Sequence, residues 1–180
     1  LFGNRNYDDS LIELRNILEF NNLHSIAAGA FVGEHSFSYT LAKGRPDSED
    51  YKEVDKLCDL ILKRIEKEKI TDISPVNVKG DNPIRTYYKP RDRKGNFIDI
   101  RKVLPKVNHK CDNCKLCVEV CPMGSIDKDN VAKYNNICIK CGACIKKCPM
   151  GARYYDDEGY LYHKSELEEM YQRRAENEIF

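Results

Sequence analysis

Two cysteine runs with the same spacing lie in the carboxyl-terminal half of the chain. Each run has the pattern C-x2-C-x2-C-x3-C followed by proline, and the second run begins 27 residues after the first. The eight cysteines are Cys111, Cys114, Cys117, Cys121, Cys138, Cys141, Cys144 and Cys148. Few kinds of chemistry need eight thiols in two equal rows, so this repeat limits the fold and the function more than any other feature.

Three kinds of cysteine chemistry are compatible with a row of this kind. Disulfides are disfavoured, because three cysteines within seven residues have poor geometry for mutual pairing and the chain shows no export signal. Zinc accepts Cys-x2-Cys pairs, although such pairs usually come as two separated doublets. A loop with cysteines at i, i+3 and i+6 can cover three corners of a cubane cluster, and the fourth cysteine can face another cluster. The spacing therefore favours two 4Fe–4S clusters, with zinc as the alternative.

Residues 109–156 resemble the two-cluster bacterial ferredoxins. The resemblance implies that the fourth cysteine of each run completes the cluster of the other run. Cluster 1 would be held by Cys111, Cys114, Cys117 and Cys148, and cluster 2 by Cys138, Cys141, Cys144 and Cys121.

The charge of this region suits an anionic cargo. Residues 109–155 carry eight Lys or Arg against four Asp or Glu. Eight thiolates and two oxidised cores of about +2 each give roughly −4, so the loaded region approaches neutrality. Lys140, Lys146 and Lys147 either stabilise the reduced clusters or form an ordinary solvated face, and the sequence leaves both readings open.

The bulk properties exclude several partners. The 180 residues carry a net charge of +1, which gives no global field for nucleic acid. The longest apolar run, residues 26–32, is far too short to cross a bilayer. We therefore expect a cytoplasmic location, no nucleic-acid partner and no membrane insertion. Because the chain begins with Leu1, an upstream portion is also expected to be missing.

The first seventy residues predict a helix, a strand and a second helix. The apolar spacing in SLIELRNILEF predicts a helix with Asp8 or Asp9 as its N-cap. SIAAGAFVG, residues 25–33, predicts a short buried strand after an initial strand at residues 1–2. The second helix is expected to begin near Asp47 and to bury Cys58, as a structural thiol, in its apolar stripe.

The segments GNRNYDDSLIELRNIL, IAAGAFVGEHSFS and AKGRPDSEDY are similar to the carboxyl-terminal half of flavodoxin-like domains fused to two-cluster ferredoxins. The resemblance extends from residue 1 to about residue 175. It places the first loop beside a flavin ring, with Gly3, Asn4, Arg5 and Tyr7 as candidate binding residues and Tyr7 stacking on the ring. Turn chemistry alone also accounts for Gly3 and Asn4. No phosphate loop is present, so FMN is expected only with a missing amino-terminal half.

These observations predict an α+β protein, in which a two-cluster ferredoxin-like domain follows a partial flavodoxin-like α/β segment. We expect the flavodoxin-like segment at residues 1–68, a basic connector with one short strand (NFIDI) at 69–108, the ferredoxin-like domain at 109–156 and a helical tail at 157–180. A capping box from Ser165 to Glu168 predicts the start of the tail helix.

Electron transfer through two 4Fe–4S clusters is the function that the sequence favours. It would be coupled to a flavin domain in the full-length protein and would serve a redox partner protein or a flavoenzyme. One alternative is a flavin-dependent oxidoreductase with its own substrate, for which Glu34 and His35 are the acid–base candidates. Another alternative is an iron–sulfur redox sensor.

Overall fold

The computed structural model describes residues 1–67, 69 and 73–180. Its regular elements in chain order are α1 (Ser10–Phe20), β1 (Gly29–Ala30), α2 (Ser48–Lys67), a 3-10 turn (Ile100–Lys102), β2 (Lys106–Val107), α3 (Leu116–Glu119), α4 (Ala143–Lys146), β3 (Arg153–Tyr154), α5 (Glu158–Met170) and β4 (Glu178–Ile179). This mixture of helices with two small antiparallel sheets, β1–β4 and β2–β3, agrees with the α+β prediction. No helix within the described ranges is long and apolar enough to cross a membrane.

The chain forms two compact units. Unit 1 contains residues 1–35, 39–87 and 171–180, and unit 2 contains residues 36–38 and 88–170. Much of the predicted connector and tail thus belongs to the same unit as the cysteine runs. The four predicted segments stay a prediction, and their first boundary, at residue 68, lies outside the described residues.

Unit 1 begins with a short parallel contact between its first residues and the segment after β1. Phe2 and Val32 form a parallel bridge, in which the Phe2 N–H donates to Phe31 and the Phe2 carbonyl accepts from Gly33, both at 2.9 Å. β1 is shorter than predicted, because only Gly29 and Ala30 pair with β4. The buried core beneath these strands consists of Ile12, Val76 and Val78.

Helix α1 occupies the predicted residues, but its start is not capped as predicted. Asp9 stands at the N-cap position without a side-chain capping bond. Its carboxylate instead accepts hydrogen bonds from the Arg85 backbone (2.8 Å), the Arg85 Nε (2.9 Å) and the Asp81 backbone (3.1 Å). The Arg85 guanidinium holds the pKa of Asp9 well below its usual range. Asp9 thus fastens the helix start to the segment around residues 81–85.

Helix α2 begins where the sequence indicates, and Asp47 caps it by accepting from the backbone N–H groups of Glu49 (3.0 Å) and Asp50 (3.3 Å). The predicted burial of Cys58 is wrong, because this cysteine is exposed. Tyr51 and Leu62 of the same apolar stripe are also exposed. Helical periodicity shows which side chains share a face, but it does not show that the face is covered.

Helix α5 in unit 2 begins seven residues earlier than predicted. Asp157 accepts a hydrogen bond from the Tyr160 N–H at 2.8 Å, and the helix runs from Glu158 to Met170. Ser165 therefore lies inside the helix, and the predicted capping box is wrong. The NFIDI strand is also wrong, since Phe97 makes only an isolated bridge with Arg91 and the chain then enters the 3-10 turn at Ile100.

A buried ion pair joins three parts of unit 1. The Arg45 guanidinium binds the Asp50 carboxylate, and the two side chains are only 4% and 1% exposed. Asp50 also accepts from the Asn177 side chain at 2.8 Å, and Arg45 donates to the Ala175 carbonyl. The pair therefore connects the start of α2 to the segment that leads into β4.

We expect Asp50→Asn to destabilise unit 1 by about 3 kcal/mol, because removing one partner leaves a buried, uncompensated guanidinium. Urea unfolding followed by circular dichroism measures the change. The control is Glu49→Gln, whose carboxylate pairs with Lys52 at the surface and should contribute less than about 1 kcal/mol. Equal stability of the two variants would contradict the importance of the buried pair.

Candidate metal centres

The two cysteine runs adopt the same backbone conformation. Asn113 and Lys140, which are counterparts in the repeat, both have φ +59°. Lys115 and Gly142 are the next counterparts, with φ +63° and +71°. Lys115 is followed directly by the single helical turn α3, and Gly142 by the single helical turn α4. The sequence repeat is therefore a structural repeat.

Short ladders join each run to the segment before the other run. β2 precedes the first run and pairs with β3 after the second, with Val107 opposite Arg153. Ile126 follows the first run and bridges Tyr134, which precedes the second. These two pairs are related by the same 27-residue shift as the cysteines. Backbone pairs thus connect the segments that flank the first run to those that flank the second.

The eight cysteines line two cavities in the crossed arrangement that the resemblance implies. The first cavity is lined by Cys111, Cys114, Cys117 and Cys148. The second cavity is lined by Cys138, Cys141, Cys144 and Cys121. In each cavity, three thiols come from one run and the fourth comes from the other. Their roles as cluster ligands stay a prediction, but these are the side chains that the structure brings together.

The fourth cysteine of each run accepts a backbone hydrogen bond. The Ser125 N–H donates to the Cys121 Sγ and the Ala152 N–H donates to the Cys148 Sγ, both at 3.3 Å. Burial raises the pKa of Cys121, but hydrogen bonds from the backbone around Ser125 outweigh it, so the pKa falls below its ordinary value. Amides directed at sulfur suit a thiolate ligand, and this chemistry fits an iron–sulfur cluster.

Burial acts in the opposite direction on Cys144. This thiol is nearly enclosed, and burial raises its pKa to about 11. Since metal ligands must be deprotonated, a cluster in the second cavity would displace this proton. Among the described residues, no three Cys, His, Asp or Glu side chains are gathered closely enough to hold a single metal ion. The thiols surround a space in each cavity.

Arg153 is a residue of this site that the sequence analysis missed. It lines the first cavity and is only 4% exposed. Its guanidinium donates to the Tyr134 hydroxyl at 2.7 Å and to the Val131 carbonyl. The 27-residue shift places Arg153 opposite Ile126 in the sequence, but the sequence does not show that Arg153 is buried beside the thiols.

The predicted flavin-ring loop is held by contacts within unit 1. Asn4 is 2% exposed, and its amide donates to the carbonyls of Tyr171 (2.6 Å) and Arg173 (2.7 Å). Arg5 pairs with Asp8, and the Tyr7 hydroxyl donates to Glu178 at 2.9 Å. These bonds explain the residue types at Asn4 and Tyr7 without a ligand, and FMN binding stays a prediction.

Of the acid–base candidates Glu34 and His35, the structure places His35 against the first loop. Glu34 accepts a hydrogen bond from the Gly44 N–H at 3.0 Å. His35 packs on Gly3, where an added Cβ would come within 2.6 Å of its ring. The glycine at position 3 is thus required by the close approach of His35.

Comparison with known proteins decides between the chemistries that the cavities permit. Residues 110–161 match the 4Fe-4S dicluster domain family. The chain contains a ferredoxin-like iron–sulfur domain. The match covers both cysteine runs and part of α5. Searches of curated proteins and of solved structures found no match.

We expect Cys148→Ser to weaken the cluster of the dicluster domain whose other candidate ligands are Cys111, Cys114 and Cys117. Cys121→Ser should weaken the other cluster. Site-resolved paramagnetic spectra distinguish the two. The control is Cys58→Ala, which removes an exposed thiol outside the cavities and should leave the iron content unchanged. If each substitution affects the cluster of its own run, the crossed assignment is wrong.

We expect Gly142→Ala to destabilise the loaded dicluster domain more than Gly124→Ala. Both glycines have positive φ, at +71° and +55°, so alanine should cost about 1–2 kcal/mol at each. At Gly142 the new Cβ would also lie 2.4 Å from the Ser36 carbonyl oxygen, whereas nothing lies within 4 Å at Gly124. Thermal unfolding under anaerobic conditions measures the difference. Equal effects would show that the contact with Ser36 is unimportant.

Proposed function

We propose that the chain transfers electrons through two 4Fe–4S clusters bound crosswise in its dicluster domain. The observation that carries this proposal is the lining of the two cavities, each of which has three thiols from one run and a fourth thiol from the other. The eight candidate ligands suffice for two clusters, which is the number that the matched family's description implies.

The chain's own residues account for binding, shielding and access. The thiolates bind, and buried apolar side chains such as Ile126 and Val131 keep water from the cavities. The clusters, when bound, supply reversible one-electron chemistry. One cysteine in each cavity, Cys114 or Cys141, is exposed. An electron can therefore leave each cavity through a ligand that a partner protein is able to approach.

A redox partner protein or a flavoenzyme is the partner that this function requires. Coupling to FMN in a longer protein follows only from the resemblance of residues 1–68, and the contacts of the first loop do not favour it. Within the part of the chain that the structure describes, no contact favours use of the clusters as a sensor or in a flavin-dependent enzyme acting on its own substrate. Electron transfer is therefore the single function proposed.

We expect anaerobically purified protein to contain about eight iron and eight sulfide per chain and to take up about two electrons reversibly. Metal and sulfide analysis with a coulometric titration measures both quantities. Zinc without sulfide would overturn the iron–sulfur proposal. Clusters that are destroyed by one cycle of reduction would overturn electron transfer but not cluster binding.

A further inference from the structure

The two cavities differ at one pair of equivalent positions. Arg153 lines the first cavity, and its counterpart in the repeat, Ile126, lines the second. Both side chains are 4% exposed. The repeat therefore places a buried cation in the lining of the first cavity and a buried methyl-bearing side chain in that of the second. Burial raises the pKa of the Cys144 thiol of the second cavity, and the guanidinium also acts on this thiol by lowering its pKa against the effect of burial.

The contacts of Arg153 leave part of its guanidinium unused. Two of its nitrogens bind Tyr134 and Val131, but its buried Nε has no hydrogen-bond partner in the part of the chain that the structure describes. An arginine stays protonated at all working pH values. A fixed positive charge with a spare N–H donor thus adjoins the first cavity.

Among the residues that line the cavities, the remaining charges do not cancel this difference. Asp112 and Lys115 also line the first cavity and have opposite signs, whereas their counterparts in the second cavity are Ile139 and Gly142. Lys140 is another buried cation, but it lines neither cavity. Its Nζ donates to the backbone carbonyls of Arg101 (2.8 Å) and Cys138 (3.1 Å).

We propose that Arg153 sets the order of reduction, so that the cluster in the first cavity accepts an electron before the cluster in the second. This inference rests on the proposed function. Reduction adds one negative charge to a cluster, and a buried cation or a hydrogen bond to sulfur stabilises that charge. With both clusters bound, one electron would pass from the reduced second cluster to the oxidised first cluster, with no proton or bond exchanged. The apolar second cavity is then the donor side of the pair.

The order of reduction is tested in the wild-type protein, and two variants serve only to assign its signals. Hyperfine-shifted cysteine Hβ resonances report each cluster separately during an anaerobic redox titration, and Cys114→Ser and Cys141→Ser assign them to the two cavities. We expect the equilibrium constant for reduction to be at least tenfold larger for the first-cavity cluster, or 59 mV for a one-electron couple. Equal constants, or the opposite order, would overturn the proposal.

Substitutions then identify the side chain responsible. Arg153→Met should lower the equilibrium constant of the first-cavity cluster at least tenfold, with a smaller effect on the other cluster. Arg153→Lys, which keeps the charge, should lower it less than Arg153→Met. The control is Arg101→Met, whose side chain is 87% exposed, and it should change either constant less than threefold. A fall as large in Arg101→Met, or no fall in Arg153→Met, would show that buried charge at this position is not the cause.

Two outcomes separate this inference from the proposed function. Protein that binds no iron and sulfide overturns both. Protein with two reversible clusters of equal potential overturns only the role of Arg153. If Arg153→Met does not bind its clusters, the order of reduction measured in the wild-type protein still tests the proposal.

Discussion

Each cavity of the dicluster domain depends on a thiol from the opposite cysteine run. Cys148 joins three cysteines that lie 31 to 37 residues before it, and Cys121 joins three that follow it. The backbone also connects the two halves, because Val107 pairs with Arg153 and Ile126 forms a bridge with Tyr134. Neither half can therefore enclose four thiols alone. Both cavities can therefore form only when the two runs come together.

Negative charge is the second constraint on this unit. Cluster binding requires thiolates, yet burial raises the pKa of the Cys144 thiol to about 11. Backbone N–H groups that donate to Cys121 and Cys148, together with the buried guanidinium of Arg153, favour negative charge on the thiols. Folding, deprotonation and cluster binding are consequently linked, as is usual where a metal site uses cysteine.

The sequence predicted those features that depend on local spacing. Helices α1 and α2, and the start of α2 near Asp47, follow from short patterns. Features that depend on distant partners were missed. Asp9 binds Arg85 rather than its own helix, and the apolar stripe with Cys58 is exposed. The neighbouring residues in the sequence predict neither the contact of Asp9 with Arg85 nor the exposure of Cys58.

In the candidate metal centres too, local spacing predicted some features, while those that depend on distant contacts were missed. The repeat and the family resemblance grouped the eight cysteines as the cavities do, because cluster ligation is tied to spacing. Arg153 was overlooked because a single basic residue after CPMGA has no periodic signal. Its importance appears only when burial and its counterpart Ile126 are known.

Strand β4 pairs with β1, although residues 88–170 lie between them in the sequence. A ribosome making about 5–20 residues per second therefore completes every cysteine of the dicluster domain before it reaches Glu178. During that interval Gly29 and Ala30 have no strand to pair with, and Arg45 lacks the Ala175 carbonyl. The order of synthesis thus completes both cysteine runs before unit 1 has the strand that pairs with β1.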